Sequence, residues 1–254
     1  MGRSESRIWE AVGAAATPSL LGGVLHRVVE SQEQVATREL VDGDLAAQTV
    51  LEAEIERSKP PRPTGTERLD YLLATPWRYP PLRHGSRFGT RHEPSLFYGS
   101  GGAATALAET AYYRFVFRDD MAVAPATIGS RHTSFEARYR TARGLKLQGP
   151  PFETWQAVLT HPSDYGPTQA LGAALRDAGV AAFEFTSARD PSRGHNVALV
   201  EPDALVSTRH ARPSGWFCST DAEAVTFSRR AAPGEILRFS LSDFLMGGTL
   251  PRPA

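Results

Sequence analysis

Apolar positions near the start of the chain recur at roughly helical spacing. Ile8, Val12, Leu20, Leu21, Val24, Leu25 and Val28 form the series, broken at Thr17-Pro18. A second periodic stretch covers Asp44–Ser58. It sets Leu45, Val50, Leu51 and Ile55 on one side and Glu52, Glu54 and Glu56 opposite or beside them, the pattern of a helix with a solvated face. Lys59-Pro60-Pro61-Arg62-Pro63 then forbids helix continuation, because proline lacks the amide hydrogen and restricts the residue before it. The pattern predicts a helical segment over residues 1–60 and a boundary there, with a second unit over 61–254.

Beyond the prolines the texture changes to short apolar runs punctuated by Gly, Pro and Asp. Ser95–Tyr98 reads as a strand and Thr105–Phe117 as a helix, with Glu109 in its middle after Ala104, Ala106, Leu107 and Ala108. Gln169–Ala178 reads as a further helix, stopped by Gly179 just past its end. Val180–Phe185, Val197–Val200 and Glu235–Leu241 read as strands. The fold class expected is α+β, with a β-rich second half.

Composition narrows the function classes. Of 254 residues, 41% are hydrophobic and 22% charged, which suits a globular chain and not a disordered one. No run approaches the ~18 apolar residues of a membrane span, and the first residues lack the apolar stretch of a secretory signal. The single cysteine, Cys218, excludes an internal disulfide and a cysteine-based metal cluster, and a reducing cytoplasmic setting is expected. Lys+Arg 28 against Asp+Glu 28 leaves no global field for nucleic acid or anionic lipid, so any anion site must be local. The seven histidines show no metal-ligand spacing, so no metal is expected.

The chemistry concentrates in two places. One begins Thr75-Pro-Trp-Arg78 and runs through Gly85-Ser86-Arg87-Phe88; Arg87, Tyr98 and Glu109 then follow at intervals of 11 residues (98 − 87 and 109 − 98). The other is Ser187-Ala188-Arg189, followed by Asn196-Val197-Ala198. Gly99-Ser100-Gly101-Gly102 lacks the Lys-Ser/Thr ending of a phosphate loop and reads as a turn.

In this order and spacing the segments resemble the RES domain, named for an Arg, a Glu and a Ser, of the toxins in RES–Xre toxin–antitoxin pairs. The matching positions are Arg87-Phe88, Tyr98, Ala106-Leu107-Ala108-Glu109, Ser187-Ala188-Arg189 and Asn196-Val197-Ala198, within residues 76–202. Ser86 is a departure, standing between Gly85 and Arg87 where many members have Gly directly before Arg.

The resemblance implies a fold similar to ADP-ribosyltransferases, with residues 1–60 as an N-terminal helical extension. It also implies a cytoplasmic toxin that degrades NAD+ by hydrolysis or phosphorolysis, and a cognate Xre-like antitoxin as partner. NAD+ is then the substrate, with no cofactor. The residue types suit that chemistry. Nicotinamide departs as a neutral ring, so the barrier lies in positive charge growing on the ribose, which a carboxylate stabilises more in the transition state than in the ground state. Glu109 is the candidate carboxylate. Arg87 suits the pyrophosphate because its planar fork binds two oxygens at once, with Arg78 and Arg189 as helpers and Asn196 as a further substrate contact. Tyr98 is expected to lie against the nicotinamide ring while its hydroxyl fixes the ribose or amide, and Ser187 to bond the substrate or orient Glu109. Two alternatives stay open: transfer of ADP-ribose to a protein or nucleic acid, and a nucleotide-binding interaction module without turnover.

Overall fold

A computed structural model describes residues 6–31, 40–232 and 234–253 of the chain. Residues 1–5, part of the segment that argued against a secretory signal, lie outside them. No helix among the described residues is long and apolar enough to cross a membrane.

The N-terminal periodicity resolves into one short helix and a strand. Helix α1 (Arg7–Val12) opens on Ser6, whose hydroxyl accepts from the Trp9 amide at 3.2 Å. Residues expected to continue as helix form β1 (Ser19–Glu30) instead. Gly22 and Gly23 sit in the middle of that stretch, each costing a helix about 1 kcal/mol relative to alanine. Val24, Val28 and Val29 favour a pleated surface. Leu21 and Leu25 are buried while Leu20 and Val24 are exposed, so the apparent helical stripe does not share one face. The N-terminal segment is therefore not wholly helical. The predicted second helix is present as α2 (Leu45–Ser58), capped by the Asp44 carboxylate on the amides of Ala46 and Ala47. None of its residues is fully buried, and Leu51 is half-buried while Leu45 and Val50 are exposed.

The remaining helices are α3 (Tyr71–Arg78), α4 (Ala103–Asp119), α5 (Gln156–Leu159) and α6 (Gly166–Asp177). Gly179 ends α6 at φ +74°, where it and Val180 donate back to the carbonyls of Arg176 and Leu175 at 2.9 and 3.0 Å. The strands that follow β1 are β2 (Phe97–Ser100), β3 (Ile128–Lys146), β4 (Ala182–Thr186), β5 (His195–Leu199), β6 (Ala211–Thr220), β7 (Ala224–Arg229) and β8 (Ile236–Ser240). They make one sheet in the order β1-β2-β5-β4-β3-β6-β7-β8, and a further β1–β3 pairing closes the first five strands on themselves. Only β3–β4 is parallel. The fold is α+β, as the sequence pattern predicts.

Three apolar cores fix the elements around the site. Leu73, Ala74 and Trp77 of α3 pack with Phe97, Phe135 and Leu199 of the sheet. Phe88 joins Leu171, Leu175, Phe183 and Phe185, bringing the segment around Arg87 onto α6 and β4. Leu107, Ala111, Tyr112 and Phe115 of α4 lie on Trp216, Val225 and Phe227. With α4 held on one side and the Arg87 segment on the other, a cleft remains between them.

Candidate functional site

That cleft is a cavity of about 580 Å³ whose lining includes Arg27, Arg87, Tyr98, Glu109, Tyr165 and Asn196. Strand β2 supplies Tyr98, and the helix that follows it supplies Glu109. The antiparallel register sets Ser100 opposite Asn196. Asn196, 87 residues from Glu109 in sequence, thus reaches the carboxylate of α4.

Glu109 is held by its Oε1 atom. The Ser187 hydroxyl and the Asn196 amide nitrogen each donate to it at 2.6 Å. Oε2 accepts no hydrogen bond among the described residues. Both donors are themselves fixed. Asn196 Oδ1 accepts from the Ser100 hydroxyl at 2.7 Å, and Ser187 Oγ accepts from the amides of Arg189 and Asp190 at 3.1 and 2.9 Å. Asp190 in turn accepts from Thr105 Oγ1 at 2.7 Å, pinning this loop to the first turn of α4. Ser187 is fully buried, so its place is behind Glu109 and not on the cavity surface.

Arg87 is almost fully buried. Its Nη1 donates to the carbonyls of Leu159 and His161 at 3.3 and 2.8 Å, and the guanidinium lies 4.5 Å from the Tyr165 ring centre. Nε has no hydrogen bond and Nη2 only a long one, 3.5 Å to the Tyr165 hydroxyl, which leaves that edge of the fork for an anion in the cavity. The Tyr98 hydroxyl does not face the cavity as a free group. It accepts from the Phe88 amide at 3.1 Å and shares a 2.9 Å bond with Ser86. Burial pushes its pKa up to about 12, so it stays protonated. The departure residue Ser86 is therefore part of the tie between β2 and the arginine turn.

Two expected helpers are elsewhere. Arg78 donates to the Pro60 carbonyl and the Glu56 carboxylate, both at 2.7 Å, and does not line the cavity. It joins α3 to the end of α2, because the last turn of α3 faces the proline segment. Arg189 lies 3.6 Å from the Tyr112 ring centre and donates to the Pro162 carbonyl, buried away from the cavity. Neither guanidinium is placed to hold a pyrophosphate in the cleft.

The sequence reading missed Arg27, Tyr113 and Tyr165 in the lining. Arg27 donates to the Tyr98 carbonyl at 2.6 Å and stands 5.1 Å from the Phe97 ring centre. Burial lowers its pKa to about 10, so it remains cationic at neutral pH. Its signal was an arginine inside a Leu/Val run, concealed once that run was read as helix. Among the described residues no group of His, Cys, Asp and Glu is arranged to hold a metal ion.

No curated protein matches the sequence. A solved structure, described as the crystal structure of the M. tuberculosis MbcT–MbcA toxin–antitoxin complex, is similar at 12% identity with a TM-score of 0.46. The match covers 84% of this chain and 91% of that one. The family model of the RES domain matches residues 60–221, well over half the chain, a span that holds Arg87, Tyr98, Glu109, Ser187 and Asn196 but not Arg27; the protein belongs to the RES-domain family.

Proposed function

We propose that the protein cleaves the bond between nicotinamide and ribose in NAD+, and that it is the toxin of a toxin–antitoxin pair whose partner is an Xre-like antitoxin. The observation that carries the proposal is the Glu109 carboxylate in the lining of a cleft that also presents an arginine edge. One oxygen of that carboxylate is fixed by Ser187 and Asn196, and the other accepts no protein hydrogen bond.

In this reading Glu109 lies against the ribose. The glycosidic electron pair leaves with the pyridinium nitrogen, which becomes neutral, so departure needs no general acid. Positive charge develops on the ribose, and the free Glu109 oxygen stabilises it. An oxygen of water or phosphate then bonds to the anomeric carbon, giving ADP-ribose or its 1-phosphate and releasing a proton. Arg87 and Arg27 supply fixed positive charge for the pyrophosphate. Tyr98 presents its ring, while its hydroxyl holds the Arg87 turn at Phe88 and Ser86. Ser187 and Asn196 are positioning residues.

Purified protein is expected to release nicotinamide from NAD+ labelled in the ADP-ribose portion, with the label recovered in small molecules. Running the reaction with and without inorganic phosphate separates phosphorolysis from hydrolysis. Label on a macromolecule would favour transfer, and NAD+ bound without turnover would overturn the proposal.

Ser187→Ala removes a donor to Glu109 and strands two backbone amides that Ser187 satisfies. The expected result is a loss of about 2 kcal/mol in stability, from the orphaned donors. The kcat for NAD+ should fall about tenfold with KM changed far less, since a hydrogen bond to a charged group is worth about 1.5–3 kcal/mol. Equal changes in kcat and KM would argue for a purely structural serine.

A further inference from the structure

A second cavity, of about 410 Å³, shares Val28, Thr110 and Tyr113 with the first and is lined further by Glu30, Arg114, Ser130 and His132. Two of its polar side chains are deeply buried: Arg114 is 8% exposed and His132 3%. Among the described residues Arg114 makes no hydrogen bond or ion pair. Its Nε is buried without a partner, and the guanidinium stands 4.8 Å from the Phe117 ring centre. His132 shares a 3.0 Å hydrogen bond with Ser130 through Nε2, while its Nδ1 is buried without a partner. Burial first, and Arg114 second, lower the His132 pKa, which favours the neutral ring. His132 is thus tied to Ser130 through Nε2 and leaves Nδ1 as its unpartnered ring nitrogen.

A buried guanidinium left unpaired carries an uncompensated desolvation cost. An anion entering the cavity removes that cost. Glu30 is the acidic side chain of the lining; it is exposed and forms no ion pair with Arg114 among the described residues. The polar groups come from two elements, Arg114 on α4 and Ser130 and His132 on β3. A tetrahedral oxyanion offers groups on separate elements more acceptor oxygens than the two of a flat carboxylate.

We infer that this cavity binds a phosphate group, free or as the monoester of a nucleotide, through Arg114 and apart from the Arg87–Glu109 cleft. The inference does not rest on NAD+ cleavage. Calorimetric titration of the full chain with inorganic phosphate, and separately with AMP, in chloride buffer tests it. Wild type should bind at least one of them; a preference for phosphate identifies a free anion, and a preference for AMP a nucleotide. Arg114→Met should weaken binding at least about tenfold, the scale of one charge-assisted hydrogen bond. Arg87→Met removes any contribution from the Arg87–Glu109 cleft and should leave the Arg114-dependent component of binding intact. Glu30→Gln, a change at an exposed position, should tighten it several-fold by removing a repelling charge. No binding by wild type overturns the inference. So does loss with Arg87→Met but not with Arg114→Met, and so does an unchanged affinity in Glu30→Gln, which remains decisive if Arg114→Met fails to fold.

Discussion

Glu109→Gln is expected to lower nicotinamide release from NAD+ by about 10³-fold while leaving the melting temperature within a few degrees of wild type. The substitution is nearly isosteric, and a glutamine carbonyl oxygen still accepts from Ser187 and Asn196, the two groups that hold Oε1. What disappears is the negative charge. A unit charge about 4 Å from a developing oxocarbenium ion contributes about 4 kcal/mol at an effective dielectric constant of about 20. Each 1.36 kcal/mol is a factor of ten in rate, so that charge corresponds to about three decades. Rapid-quench or continuous assay of nicotinamide, beside a thermal melt of the same preparation, checks both halves. Turnover near the wild-type rate in a folded Glu109→Gln protein would remove Glu109 from the chemistry.

The carboxylate itself was legible because several independent features converged on it. Glu109 stands mid-helix after a run of small residues, at an even interval from Tyr98 and Arg87, with a Ser-x-Arg and an Asn-x-Ala segment downstream. The structure brings Arg87, Tyr98, Glu109 and Asn196 to one cavity and puts Ser187 directly behind Glu109. What the motif could not convey is which atoms are already engaged. Tyr98 looks like a ring with a free hydroxyl until the Phe88 amide and Ser86 are seen to use that hydroxyl. Arg78 and Arg189 look like spare cations until their backbone and carboxylate partners appear. Side-chain availability is a tertiary property, and no spacing rule encodes it.

The fold shows the same division. Helices with strong local punctuation were readable: α2 with Asp44 at its start, and α6 with Gly179 at its end. Strand β1 was not, because its leucines and valines happen to recur at helical intervals. The local preference of Gly22, Gly23 and the valines is completed by the partner β3, more than 100 residues away, with Leu25 opposite Ala137 and Arg27 opposite Phe135. Strand β3 itself mixes arginine, threonine and serine with buried Phe135, Ala137 and Tyr139, and so lacks the apolar run that marks a central strand. Misreading β1 also hid Arg27, so an error in secondary structure became an error in the site.

Gly172→Ala is expected to lower the melting temperature by about 4–8 °C and to raise the KM for NAD+, although the residue is not itself part of the cavity lining. Gly172 lies on α6, where alanine would ordinarily gain about 1 kcal/mol in helix propensity. Here a Cβ would stand 1.9 Å from the Phe88 carbonyl oxygen and 2.7 Å from its carbon, both backbone atoms. Neither can rotate aside, so α6 and the arginine turn must separate by more than an ångström. Overpacking of this kind costs about 1–3 kcal/mol, occasionally more, and a backbone collision belongs at the upper end. A net loss of about 2 kcal/mol in a chain of this size corresponds to the stated shift. The damage is directed, because one turn earlier on α6 Gln169 donates to the carbonyls of His84 and Ser86 at 2.9 and 3.1 Å and fixes the same segment. Moving that segment moves Arg87, the group assigned to the pyrophosphate. Gly149→Ala is the control, since a Cβ there meets nothing within 4 Å. Thermal melts and NAD+ titrations of the two variants decide the matter: if Gly172→Ala melts with Gly149→Ala and wild type, the close approach of α6 to Phe88 is not what holds the arginine turn in place.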